Sequence, residues 1–143
     1  FDGRVVKYDK NGRFVKAVGT RGNQNLQFNT PHSIATDFQG NVYVGDRGNR
    51  RIQVFDQDGT FLEQWTQFGR PSGILIMADD TMYVADIQDK RGIVVGSARD
   101  GSVRGVIEGT LPESVAVDRE GAVYAGETTT GRTLRKFVKD GGQ

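Results

Sequence analysis

The sequence predicts an all-β fold: a propeller segment of about three four-stranded antiparallel blades. Three observations predict it. First, Pro31 to Gly59, PHSIATDFQGNVYVGDRGNRRIQVFDQDG, alternates short β-branched and aromatic runs with Gly, Asn and Asp clusters, which is the strand-and-turn signature. Second, the three prolines, Pro31, Pro71 and Pro112, lie 40 and 41 residues apart, and each opens an apolar run. Third, an aromatic strand recurs at one place in each unit: NVYVGD at 41–46, TMYVAD at 81–86 and AVYAGE at 122–127. An Asp-Gly turn follows each of them, at Asp58-Gly59, Asp100-Gly101 and Asp140-Gly141. Four short strands repeating at about 40 residues describe a propeller blade.

The elements follow in chain order. RVVKYDKNG at 4–12 matches RIQVFDQDG at 51–59, and Phe14 to Val18 matches Phe61 to Trp65. Residues 1–19 therefore read as the third and fourth strands of a blade. Thr20 to Thr30 is polar and long: 18 residues separate Gly12 from Pro31, against 11 from Gly59 to Pro71 and 10 from Gly101 to Pro112. Such a loop is read as a binding loop or as surface decoration, with decoration favoured. The first complete blade spans 31–66, with strands expected at Ser33–Asp37, Val42–Gly45, Arg51–Phe55 and Thr60–Trp65. The second spans 71–107; its Ile87 to Arg91 stretch is polar and irregular. A third, over 112–138, shows three strands, LPESVAVD, AVYAGE and TLRKFV, and no fourth. No helix is required, and Trp65 and Phe61 are expected to pack between blades.

Composition narrows the function. Nineteen basic residues stand against 18 acidic ones, a net charge of +1, which argues against a strong electrostatic grip on nucleic acid. No run approaches the roughly 18 apolar residues of a membrane helix. Cysteine is absent, which excludes disulfides, thiolate metal sites and cysteine nucleophiles. There is no Gly-rich phosphate loop, nucleophile elbow or triad.

The repeats, NVYVGDRGNRRIQVFDQDG above all, resemble those of the NHL family of six-bladed propellers. Within that family FNTPHSIAT, VGDRGNRRIQ and LPESVAVDREGAVYAGE look most like the core of the peptidyl-α-hydroxyglycine α-amidating lyases and their bacterial relatives. The resemblance implies a zinc-binding histidine after a proline on an innermost strand, at His32. It implies a substrate-holding arginine after the second-strand acid, at Arg47. A second zinc histidine would fall at Glu113, so that ligand is changed. Further family residues, a third histidine and a tyrosine base, would lie before Phe1. The resemblance also favours an extracytoplasmic location.

His32 is the only histidine. Its imidazole suits zinc, but catalytic zinc takes three protein ligands and an open position; the alternative is a channel histidine bonded to backbone or water. Arg47 carries a fork of donors suited to carboxylate, and is otherwise a solvated turn arginine. Arg47, Arg50 and Arg51 form a small basic cluster that could contact a phosphate or a peptide terminus. Asp46, Asp86 and Glu127 recur in every blade, which points to capping of turns rather than acid–base work.

Two function classes stand open: a module binding a peptide, protein or small ligand at the channel mouth, and a metal-dependent lyase relative cleaving a C–N bond of α-hydroxyglycine-type substrates, with zinc as the candidate metal. RNA binding is a third reading. Apolar blade faces and strand edges favour self-association. The expectation is a two-fold dimer that closes a six-bladed ring, each seam sealed by a partner strand, Phe14 to Val18 supplying the missing fourth strand; the alternative is that these residues are the C-terminal half of a longer chain.

Overall fold

The computed structural model describes residues 2–128, 131 and 133–138. Fifteen strands are described among these. β1 (Val5–Tyr8) and β2 (Phe14–Val18) form a hairpin, a half-blade. β3 (Thr20–Arg21) and β4 (Gln27–Phe28) make a small parallel bridge. The first full blade has the order β5 (Pro31–Thr36), β6 (Val42–Asp46), β7 (Arg51–Phe55), β8 (Phe61–Trp65). The second has β9 (Gly73–Ile76), β10 (Thr81–Asp86), β11 (Gly92–Ser97), β12 (Val103–Ile107). The last sheet holds β13 (Pro112–Val117), β14 (Val123–Glu127), β15 (Leu134–Phe137). Blade pairings are antiparallel throughout. The one helical turn described is a 3-10 turn over Arg47–Asn49. No helix among the described residues is long and apolar enough to cross a membrane. The Asp140-Gly141 turn lies outside the described residues.

The core consists of seams between blades. Tyr43, Ile52, Val54, Trp65 and Phe68 face Ile76, Met82, Val84, Val94 and Ala98 of the next blade. Trp65 stacks between Tyr43 and Phe68 at ring distances of 5.7 and 6.1 Å. A second cluster, Phe28, Val44 and Phe55, takes Val5 from the half-blade and Phe61 from β8. A third joins Ile93 to Val123 and Ala125. Alternation along each strand sends one set of side chains to the preceding blade and the other to the following one.

At one rim of the stack, aspartates organise the turns. Asp9, Asp37 and Asp56 each accept the backbone N–H groups two and four residues on, an Asx turn. Gly12, Gly59 and Gly101 close the third-to-fourth-strand turns with φ of 77°, 81° and 69°, a region that a Cβ disfavours. The opposite rim holds the loops entering each blade and those joining its second and third strands.

Thr20 to Thr30 is part of the fold rather than decoration. Phe28 is fully buried. The Gln27 carbonyl accepts from Arg51 Nη2 at 2.9 Å and from Gln53 Nε2 at 2.8 Å. The first strand also starts earlier than expected, at Pro31, because Pro31 pairs with Asp46 across a slip in register before Ser33. Proline cannot donate to a ladder and is tolerated at such bulges.

The acids that end each second strand hold the incoming loop. Asp46, fully buried, accepts from Asn29 N at 2.7 Å and from Asn49 Nδ2 and Arg51 Nε at 2.8 Å. Asp86 accepts from Arg70 N and from Gln88, Asp89 and Lys90 N. Glu127 accepts from Leu111 N and the Thr110 hydroxyl. Capping of the acid's own turn through backbone N–H groups is seen at Asp86. A bond to a backbone N–H of the incoming loop is common to all three, from Asn29 two residues before Pro31 and from Arg70 and Leu111 one residue before their prolines.

Two predictions follow from this. Asp46→Ala strands Arg51 and three further donors in a dry site, and should cost about 3 kcal/mol in urea unfolding; exposed Asp58→Ala should change stability by less than about 0.5 kcal/mol. The second concerns acid. Burial raises the Asp37 carboxyl, but bonds from Asn41, Tyr43 and Gln39 outweigh it and hold it below the ordinary 3.8. Backbone N–H groups of Thr60, Thr81, Ser102 and Ala122 lower Asp56, Asp79, Asp100 and Asp118 likewise. A carboxyl more acidic folded than unfolded contributes fully above its unfolded value, and that contribution is lost as pH falls through the folded value. The urea midpoint should therefore drop as pH falls below about 4, and more gently in Asp37→Asn.

Candidate functional site

The innermost strands β5, β9 and β13 lie side by side, and the residue after each opening proline sits at their rim: His32, Ser72 and Glu113. Two of these stand out of the ladder. Register slips between Pro31 and Ser33 and again between Pro112 and Ser114, so His32 and Glu113 occupy matching bulges. A bulge re-aims a side chain that the pleat would otherwise bury against the next strand.

The site assembles from three blades. His32 Nδ1 lies 2.8 Å from the carbonyl oxygen of Ser72. A carbonyl only accepts, so Nδ1 carries the hydrogen, which leaves Nε2 bare whenever the ring is neutral. That Nε2 faces Glu113 Oε2 at 3.9 Å. Arg47, placed by the 3-10 turn after β6, brings Nη2 to 3.6 Å from Glu113 Oε1. The side chains are partly sheltered, with 34% of His32, 22% of Glu113 and 19% of Arg47 exposed. Glu113 Oε2 is a buried oxygen with no hydrogen-bond partner, and so is the Ser72 hydroxyl beside it in sequence register. The His32 and Glu113 atoms that face each other are thus both acceptors. A donor such as a hydroxyl, amide N–H or ammonium, placed at about 2.8 Å from each, would satisfy both.

The structure brings together His32, Arg47 and Glu113, and separates the rest of the basic cluster. Arg50 pairs with Asp89 at 2.9 Å. Arg51 is buried and bonds Asp46, Gln64, Gln24 and Gln27. The dispersal has a simple cause: the chain turns from the 3-10 segment into β7 at Arg50, whose φ is 57°, so the three arginines leave in different directions. Sequence reasoning missed Ser72. The signal was present, since Ser72 follows Pro71 as His32 follows Pro31, but its part is played by a backbone oxygen.

Zinc was the candidate cofactor. His32 and Glu113 could supply two ligands, but no group of three or more His, Cys, Asp or Glu residues able to hold a metal occurs among the described residues. The guanidinium beside Glu113 also opposes a second cation there. The residues described here do not by themselves fit a catalytic zinc.

Comparisons with known proteins agree with this architecture. Residues 28–55 match the NHL repeat. NHL repeat-containing protein 3 of Homo sapiens is 37% identical over 94% of this chain and 43% of its own length. Peptidyl-glycine alpha-amidating monooxygenase B of Xenopus laevis is 29% identical over 87% of this chain and 16% of its own. The chain therefore spans less than half of either relative. Among solved structures, the WD40 beta propeller domain of Doa1 superposes with a TM-score of 0.71 over 98% of this chain and 48% of that one, at 16% identity, a likeness of fold alone. Blade architecture, repeat and relatives together place the chain in the NHL-repeat family, as a β-propeller segment.

Proposed function

We propose that this propeller segment is a binding module whose channel-mouth cluster holds a peptide. One observation carries the reading: the buried, unpartnered Glu113 Oε2 facing the bare His32 Nε2, with Arg47 alongside. Buried polar groups are normally satisfied, and an exception calls for a missing partner. Extended peptide backbone offers an N–H for the two acceptors and, next to it, a carbonyl or terminal carboxylate for Arg47. A folded protein surface or a small hydroxylated molecule offers the same donors and is an alternative outcome of the test.

A second reading, a zinc-dependent lyase for α-hydroxyglycine-type substrates, is favoured by the likeness to the amidating monooxygenase. It requires a third ligand beyond His32 and Glu113. Stoichiometric zinc in the purified chain, lost in His32→Ala, would support it; a metal-free chain without lyase turnover would remove it.

Panning a random peptide library on the chain tests the binding reading. Recovered peptides should bind Glu113→Ala and Arg47→Ala at least about tenfold more weakly, since a lost charge-assisted hydrogen bond is worth about 1.5–3 kcal/mol. Failure to recover peptides, or equal binding by both variants, would refute it.

A further inference from the structure

A cavity of about 330 Å³ opens between the two full blades, on the rim that carries Arg47. Its walls come from three connections: Asn49 and Arg50 between β6 and β7, Thr66 and Gly69 between β8 and β9, and Asp89 and Lys90 between β10 and β11. Both blades that flank it have four strands. None of these six side chains is a large apolar one, so the cavity suits a small polar group.

Its charged residues are held in place. Asp86, the buried acid of the second blade, accepts from the backbone N–H of Asp89 at 3.0 Å and from that of Lys90 at 2.9 Å. The Lys90 stem crosses Gly69, where a Cβ would lie 3.1 Å from Lys90 Cγ and collide with the Asp86 carboxylate. Arg50 ends the 3-10 turn, and its N–H donates to the Arg47 carbonyl at 3.1 Å.

The charges do not balance. Arg50 Nη2 meets Asp89 Oδ2 at 2.9 Å. That contact uses part of a guanidinium with five N–H donors. Among the described residues, the Lys90 ammonium has no hydrogen-bond or ion-pair partner. Two cations against one acid leave one positive charge over. Arg70, next to Gly69, adds a third cation to this part of the rim. It donates to Gln88 Oε1, and its buried Nε has no partner.

We propose that this cavity binds a carboxylate. Between Lys90 and Arg50, the carboxylate accepts from the ammonium and from guanidinium N–H groups that Asp89 leaves unused. Its single charge offsets the excess, whereas a phosphate monoester, nearer two charges at neutral pH, would exceed it. The cavity is distinct from the His32–Glu113 cluster, and the proposal is independent of the peptide reading.

Amide spectra of the nitrogen-15-labelled chain, at neutral pH and low salt, test it. The probes are acetyl-Gly-Glu-Gly-amide, its uncharged Gln counterpart and acetate, each at millimolar concentration. The Glu peptide should shift the amides of Asn49, Gly69 and Lys90, and the Gln peptide should not. Lys90→Gln, at an exposed position, should weaken binding about three- to fivefold, as befits a partly exposed ion pair. Asp89→Asn removes the competing carboxylate and should tighten binding, which loss of a merely structural contact would not do. A stronger response to the Glu peptide than to acetate assigns an acidic side chain as the occupant; an equal response assigns a free small acid. No response of these amides, equal responses to the Glu and Gln peptides, or unchanged affinity in either variant overturns the proposal.

Discussion

The structure depends on a buried acid at the end of each second strand. Burying a carboxylate is costly unless charge and lone pairs are met. Asp46 meets that condition with a backbone N–H from the incoming loop, an Asn49 amide, a Gln53 amide and the Arg51 guanidinium. Asp86 and Glu127 bind a loop N–H one residue nearer their prolines. Each acid thereby fixes where the chain enters its blade. Entry through a proline leaves a ladder position unfilled, and in the first and third blades the strand answers with a bulge. Loop, proline and bulge together set the residue that faces the channel rim. The site's geometry is inherited from this clasp.

The blades were legible in the sequence because their causes are local. Asp-Gly turns, Asx turns and alternating apolar residues act within a few positions, and the 40-residue period exposed their repetition. Arg51–Phe55 was placed to the residue. The range expected for the first strand began at Ser33, two residues late, since pairing across a bulge is invisible without the partner strand. The Thr20–Thr30 loop misled through its polarity: one residue, Phe28, fixes it by filling the seam beneath β7.

The site was legible in part. His32, Arg47 and Glu113 stood out by position in the repeat and by resemblance. Their convergence was not readable, because it spans 81 residues of sequence and depends on how three inner strands lie beside one another. Adjacency in sequence misled in the opposite sense. Arg47, Arg50 and Arg51 looked like one basic patch, yet one serves the channel rim, one a neighbouring loop and one the buried clasp. Side chains that leave a turn and enter a strand diverge, whatever their charge.

The cluster at the rim is held in an unfinished state. The Ser72 carbonyl fixes the hydrogen of His32 on Nδ1 and so leaves two acceptors facing each other beside a guanidinium. Its most direct test is the tautomer of His32. Being the only histidine, it gives a single pair of imidazole nitrogen resonances in a long-range proton–nitrogen correlation spectrum. In the ligand-free chain, at a pH where the ring is neutral, the account predicts the Nδ1–H form with a bare Nε2. An Nε2–H form would mean that the ring already donates to Glu113, and would contradict the account.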